Sequence, residues 1–147
     1  MKQIKILVFT EGTLIKHKKD IDDFRSYVPV VGCVDKLKLW KLQGANICYL
    51  TSRKTKKEIE DVRFVLTKYG FPNSQELFFR KNGEQYKDVA EGIMPDILIE
   101  DDCASIGGKW QMTYPHINRD LKKKIKSIVV KEFSGIDTLP DDASKLG

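Results

Sequence analysis

Cysteine, histidine and long apolar runs are all scarce in this sequence. Its 147 residues include 3 Cys and 2 His, and Cys33, Cys48 and Cys103 form no Cys-x-x-Cys pair. This pattern argues against a zinc site and a disulfide framework. The first apolar run, 6–9, is shorter than the ~7 residues of a signal peptide's apolar region or the ~20 of a membrane span. We therefore expect a cytoplasmic protein without a membrane segment.

A strong excess of charge of one sign is also missing. The sequence has 26 Lys and Arg against 21 Asp and Glu, spread along the chain. This distribution makes a nucleic-acid partner unlikely. A chain of this length buries roughly 70% of the surface that its unfolded form exposes. The sequence therefore predicts a single domain over residues 1–147, with a loose C-terminal tail from about residue 137.

What is present is an alternation of short β-branched runs with helical patterns. The predicted strands are 4–9, 46–50, 77–79, 96–99 and 127–130, and the predicted helices are 34–42, 54–69 and 87–93. Because connections of this length are too long for hairpin turns, they imply right-handed crossovers between parallel strands. The pattern predicts an α/β fold of three layers, with a doubly wound central parallel sheet covered on both faces.

Polar residues follow four of the predicted strands. In an open parallel sheet, ligands bind beyond the carboxyl ends of the strands. Hydroxyls and lysine suit phosphate oxygens, and carboxylates suit Mg²⁺. The candidate segments are Thr10-Glu11-Gly12-Thr13, Thr51-Ser52-Arg53, Arg80-Lys81 and Glu100-Asp101-Asp102.

These segments, in this order, resemble the motifs of the haloacid dehalogenase (HAD) superfamily of phosphohydrolases. The resemblance extends from Ile4 to about Gly108. It implies a Rossmann-like core, a Mg²⁺ cofactor and a phosphorylated substrate, either a small molecule or a macromolecular phosphoester.

The first motif departs from the family pattern. Aligned on Gly12-Thr13, Glu11 stands at the family's general acid/base, and Phe9 stands where the family has its aspartate nucleophile. A phenyl ring can neither attack phosphorus nor ligate a metal. We therefore expect a phosphohydrolase-type scaffold that is impaired or non-catalytic. The alternative is an active Mg²⁺-dependent phosphatase that acts through Glu11 or a metal-bound water.

The resemblance assigns roles to the remaining motifs. Thr51, with help from Ser52, would bind the phosphoryl group. Lys87 opens a helix and is the preferred third-motif lysine, although Lys81 remains possible. Glu100 and Asp101, together with Glu11, would hold Mg²⁺.

The spacing leaves no room for the cap domain that many family members use. Only 37 residues separate Thr13 from Thr51. A capless site needs another subunit or a large substrate to cover it. We therefore expect either a homo-oligomer or a substrate that covers the site itself.

Local structural roles remain open for the same residues. Glu11-Gly12-Thr13 is compatible with a simple turn, and Thr51-Ser52 with the N-cap of the following helix. Glu100-Asp101-Asp102 is compatible with a solvated loop, although three adjacent carboxylates repel one another unless a cation is near.

Overall fold

Five parallel strands form the central sheet. The computed structural model describes residues 3–147. Its strands are β1 Lys5–Phe9, β2 Ile15–Lys16, β3 Val28–Pro29, β4 Asn46–Leu50, β5 Leu77–Phe78, β6 Ile97–Asp101 and β7 Lys126–Val130. The sheet has the order β5-β4-β1-β6-β7, and β2 and β3 form a separate antiparallel ribbon. With β1 at the centre, the residues that follow β1, β4 and β6 meet at one edge of the sheet.

Helices cover both faces of this sheet. They are α1 Cys33–Leu42, α2 Lys56–Lys68, α3 Tyr86–Ile93 and α4 Arg119–Lys122. Apolar side chains of α1 and α2 join the larger core cluster, and those of α3 join the smaller one. This arrangement confirms the predicted three-layer α/β fold with a Rossmann-like parallel sheet. Within residues 3–147, no helix has both the length and the apolar character needed to cross a membrane.

The two cores follow from the alternation of side chains along β1. Successive residues of a strand point to opposite faces of the sheet. Ile6 and Val8 belong to the larger core, whereas Leu7 and Phe9 belong to the smaller one, and all four are buried. A strand with both faces covered becomes a continuous apolar run, which is the pattern in the sequence.

The acidic residues of the fourth predicted strand lie inside β6 rather than after it. Glu100 pairs with Val129 and Asp101 with Val130, so β7 extends β6 by two residues beyond the predicted end. The period of two then sends the neighbouring side chains of Glu100 and Asp101 to opposite faces. This divergence determines what each carboxylate can do.

The predicted loose tail at 137–147 is wrong, because this segment packs against the larger core. Ala143 and Leu146 are each only 4% exposed. The indole nitrogen of Trp40 donates a hydrogen bond to the carbonyl oxygen of Pro140 at 3.0 Å. The segment is polar in composition, and its few apolar residues were too sparse to show a periodicity.

A buried lysine also fixes the tail. The ammonium of Lys36, a residue that is 6% exposed, donates to the carbonyl oxygen of Leu139 at 2.7 Å and pairs with the carboxylate of Asp141. Burying an ammonium without a partner costs several kcal/mol. The tail therefore supplies the partners of a buried ammonium group that belongs to α1.

We predict that Leu146→Ala lowers the free energy of unfolding by about 2 to 4 kcal/mol, because it removes a buried side chain. Leu42→Ala is the matched control, since Leu42 is 86% exposed, and it should change stability by less than about 0.5 kcal/mol. Urea denaturation measures both values. Equal, small effects of the two substitutions would contradict the packing of the tail.

Candidate functional site

A cavity of about 240 Å³ lies beyond the carboxyl ends of β1, β4 and β6. Its lining includes Phe9, Glu11, Ser52, Tyr86 and Asp101. The fold therefore brings together residues from three of the four candidate segments. It also adds Tyr86, which the sequence did not single out.

The carboxylate of Glu11 is held by four hydrogen bonds. Its Oε2 accepts from the hydroxyls of Thr10 and Thr51, both at 2.7 Å. Its Oε1 accepts from the backbone N–H and the hydroxyl of Ser52, both at 2.8 Å. We call the donors of Thr10, Thr51 and Ser52 the cradle. The predicted phosphate ligands Thr51 and Ser52 are therefore brought together, but around the side chain of Glu11.

The turn after β1 directs Glu11 toward β4. The backbone N–H groups of Leu14 and Ile15 both donate to the carbonyl oxygen of Thr10. Gly12 has φ +84°, and a Cβ there would lie 3.0 Å from both carboxylate oxygens of Asp101. Glycine is favoured here because a side chain would be strained at this φ and would crowd the carboxylate of Asp101.

Two arginines donate hydrogen bonds to Ser52, one of the cradle residues. Arg53 donates from Nε and Nη2 to the hydroxyl oxygen of Ser52, at 3.1 and 2.8 Å. Arg80 donates to the carbonyl oxygen of Ser52 at 3.2 Å. Each guanidinium also lies over an aromatic ring, Arg53 over Phe24 at 4.4 Å and Arg80 over Tyr86 at 4.0 Å. These positive charges favour an anion in the cradle.

The capping alternative for Thr51-Ser52 is wrong. The N-cap of α2 is Thr55, whose hydroxyl accepts from the backbone N–H of Glu58 at 3.2 Å. The helix begins two residues later than predicted, at Lys56. The donors of Thr51 and Ser52 are consequently free to bind a carboxylate.

Phe9 is a packing residue at the mouth of the cavity. It is 9% exposed, and its ring meets that of Tyr86 edge to face, with centroids 5.2 Å apart. Cys103 also lines the cavity. Burial, reinforced by the nearby carboxylates of Asp101 and Glu100, raises the pKa of its thiol to about 12. Attack on phosphorus by sulfur needs the thiolate, which is scarce at neutral pH.

Asp101 is anchored beneath the turn after β1. Its Oδ1 accepts from the hydroxyl of Thr13 at 2.8 Å, and its Oδ2 accepts from the backbone N–H of Cys103 at 3.1 Å. The Thr13 oxygen in turn accepts from the N–H of Asp101 at 3.0 Å. Burial raises the pKa of this carboxyl despite these bonds. Glu11-Gly12-Thr13 is therefore a turn. Through the hydrogen bonds of Thr13 it also connects the end of β1 with the end of β6.

Glu100 points away from the cavity, so its predicted role as a metal ligand is not supported. Its two carboxylate oxygens accept from the backbone N–H groups of Thr113 and Tyr114, at 2.6 and 2.9 Å. The residue is 2% exposed, and burial raises its pKa. The carboxylate fixes the 113–114 segment against the sheet.

The predicted magnesium ligands do not fit a shared metal site in this arrangement. Glu100 faces away, and both oxygens of Glu11 are used by the cradle. Within residues 3–147, no group of three or more His, Cys, Asp or Glu side chains is placed to hold a metal ion. Magnesium binding stays a prediction from the resemblance.

Neither Lys87 nor Lys81, the two candidates for the third-motif lysine, lines the cavity. Lys87 is near Asp88, with Nζ 3.6 Å from the carboxylate, and it lines a neighbouring cleft. Lys81 lines a further pocket with Lys54. Tyr86, the residue before Lys87, faces the cavity instead. A single aromatic residue at the first position of a helix has no sequence signature, which is why Tyr86 was missed.

Comparison with solved structures gives a fold likeness. A chain of the Pnkp1/Rnl/Hen1 RNA repair complex aligns with a TM-score of 0.60 and 16% sequence identity. The alignment covers 89% of this chain and 45% of that one, so this chain spans less than half of its neighbour's length. No family model and no curated protein matches the sequence.

We predict a pH-dependent contribution from Glu100. Because burial raises its pKa above 4.5, the folded protein binds the proton more tightly than the unfolded chain. The contribution of this group to stability therefore falls as pH rises from about 4 through the raised pKa. The unfolding free energy of the native chain minus that of Glu100→Gln should therefore fall along this range in urea titrations. A difference that is constant with pH would contradict the assignment.

Proposed function

We propose that this protein is a HAD-like phosphohydrolase scaffold that does not turn over phosphomonoesters and that binds a phosphoryl group in the cradle. In the resting chain, the carboxylate of Glu11 occupies the cradle in place of the ligand. The function is therefore recognition of a phosphorylated ligand, and binding requires that Glu11 move out.

The single observation that carries this proposal is the set of four hydrogen bonds to Glu11. Charged oxygen acceptors of carboxylates and phosphates need the same kind of donor. A group of hydroxyls and one backbone N–H that binds a carboxylate can therefore bind a phosphoryl group. The guanidiniums of Arg53 and Arg80 supply charge that suits either anion.

The same observation disfavours an active phosphatase. Catalysis through Glu11 would need its carboxylate free to attack or to move a proton, but both oxygens already accept hydrogen bonds. The ring of Phe9, packed against Tyr86, supplies no second carboxylate. An enzyme that loses its nucleophile retains little activity.

The ligand we favour is a macromolecular phosphoester. Within residues 3–147, no separate domain covers the cavity, so a large ligand could cover it. The structurally similar chain belongs to an RNA repair complex, which is compatible with a large ligand. A phosphorylated small molecule bound with the help of a second copy of this chain is the other source of the same group.

We predict that removing the carboxylate opens the cradle to inorganic phosphate. At about ten times its dissociation constant, phosphate stabilises a protein by about 1.4 kcal/mol. For a chain of this size, that corresponds to a rise of about 3 to 6 °C in melting temperature. Glu11→Ala should show this rise in thermal denaturation, and the native chain should show a smaller one.

Two controls make this experiment specific. Glu76→Ala removes an exposed carboxylate and should respond like the native chain, which separates the cradle from net charge. Adding Thr51→Val to Glu11→Ala should abolish the rise. Equal responses of Glu11→Ala and Glu76→Ala to phosphate would contradict the proposal.

We predict no turnover of an aryl phosphate by the native chain, with or without added Mg²⁺, because both oxygens of Glu11 accept hydrogen bonds and the thiol of Cys103 is protonated at neutral pH. Release of the phenolate, followed by absorbance, measures the rate, and Glu11→Ala provides the matched background. Turnover by the native chain that Glu11→Ala removes would instead establish the active phosphatase.

A further inference from the structure

A second cleft, of about 250 Å³, lies beside the cavity. Its lining includes Arg80, Lys87, Trp110 and His116. Tyr86 lies in the wall between the two and lines both. The cleft therefore combines positive charge with aromatic surface. Arg80 also donates to Ser52 of the cradle, whereas Lys87, Trp110 and His116 have no role there.

Trp110 contributes an exposed indole to the cleft. It is 80% exposed, whereas Trp40 is fully buried. Its carbonyl oxygen accepts from Nε2 of His116 at 3.0 Å, and the two rings lie 6.3 Å apart at an angle of 31°. An exposed indole offers a flat face to a planar ligand.

Cations continue from the cleft onto the adjoining surface. Arg80 lines both the cleft and a neighbouring pocket that contains Lys54 and Lys81. The Nε of Arg80 is buried and has no hydrogen-bond partner within residues 3–147. Together with Lys87, these residues form what we call the basic track.

The carboxylates near the basic track are already engaged with the backbone. Glu84 accepts from the N–H of Lys81 at 2.7 Å, and Asp88 accepts from the N–H of Gln85 at 2.8 Å. Asp88 also lies 3.6 Å from Nζ of Lys87. The four cations of the track outnumber these two carboxylates.

We propose that the cleft and the basic track bind single-stranded nucleic acid, with a base stacked on Trp110 and backbone phosphates along Arg80, Lys87, Lys81 and Lys54. Proteins that bind single strands combine a positive groove with aromatic stacking surfaces. An acidic peptide would satisfy the cations but would leave the indole face without a planar partner. The inference goes beyond the proposed function and does not require an occupied cradle.

Because charge is spread evenly along the sequence, the sequence alone does not predict this positive surface. Its residues come from three separate parts of the sequence, at residue 54, at 80–87 and at 110–116. The fold places the first two after β4 and β5, and the third after β6. Only the sheet order brings them to one edge.

The test is binding of a fluorescein-labelled oligouridylate of eight nucleotides without terminal phosphates, followed by fluorescence anisotropy of the full chain. Base stacking on an aromatic residue contributes at least about a fivefold change in affinity. Trp110→Ala should therefore weaken binding at least about fivefold. Lys87→Ala should reduce the slope of log affinity against log salt by about 1.

Lys124→Ala is the charge-matched control. Lys124 is exposed and precedes β7, at the opposite edge of the sheet, so its loss should change affinity far less than that of Lys87. Thr51→Val should leave binding unchanged, which separates this surface from the cradle. Circular dichroism of each variant confirms that it folds.

Three results would overturn the inference. The first is the absence of binding at low salt by a folded native chain. The second is equal weakening by Lys87→Ala and Lys124→Ala with no effect of Trp110→Ala, which would reduce the interaction to net charge. The third is displacement of the oligouridylate by polyglutamate that binds the native chain and Trp110→Ala equally well, which would assign the cations to an acidic peptide.

Discussion

The carboxylate of Glu11 crosses from the end of β1 to the end of β4, where Thr51 and Ser52 donate hydrogen bonds to it. Thr10, directly after β1, donates a further one. Hydrogen bonds to a charged group contribute about 1.5 to 3 kcal/mol each, although such values do not add. This interaction joins two neighbouring strands of the central sheet. It also places a negative charge next to Ser52, to which Arg53 and Arg80 donate hydrogen bonds. It also uses the donors that a phosphoryl group would need, so the stability of the resting site and its affinity for an external anion are opposed.

The second constraint is the alternation of side chains along β6. Because β7 pairs with β6 as far as Asp101, Glu100 and Asp101 cannot face the same ligand. Asp101 supports the turn that carries Glu11, through Thr13 and the close approach of Gly12. Glu100 instead anchors the backbone at 113–114, shortly after Trp110 in the chain. The two adjacent carboxylates thus support the cavity and the aromatic cleft separately.

Much of the fold could be predicted, because buried parallel strands leave apolar runs and α2 and α3 leave clear helical spacing. The meeting of Glu11, Thr51, Ser52 and Asp101 could also be predicted, since residues after parallel strands share one edge. The binding of Glu11 in the cradle could not be predicted. Glutamate is one methylene longer than aspartate, and the sequence does not indicate where that longer side chain reaches. The end of β6 depends on its pairing with β7, and the packing of 137–147 depends on contacts with Trp40 and Lys36, which are distant in sequence.

The measurement that tests the central claim most directly is the proton chemical shift of the Ser52 backbone amide in two-dimensional NMR spectra. If Glu11 occupies the cradle, this amide donates to a carboxylate in the native chain and resonates at low field. It should move to higher field in Glu11→Ala and return toward the native position when phosphate is added. A resonance that is the same in the native chain and in Glu11→Ala would show that the carboxylate does not occupy the cradle, and it would contradict the account.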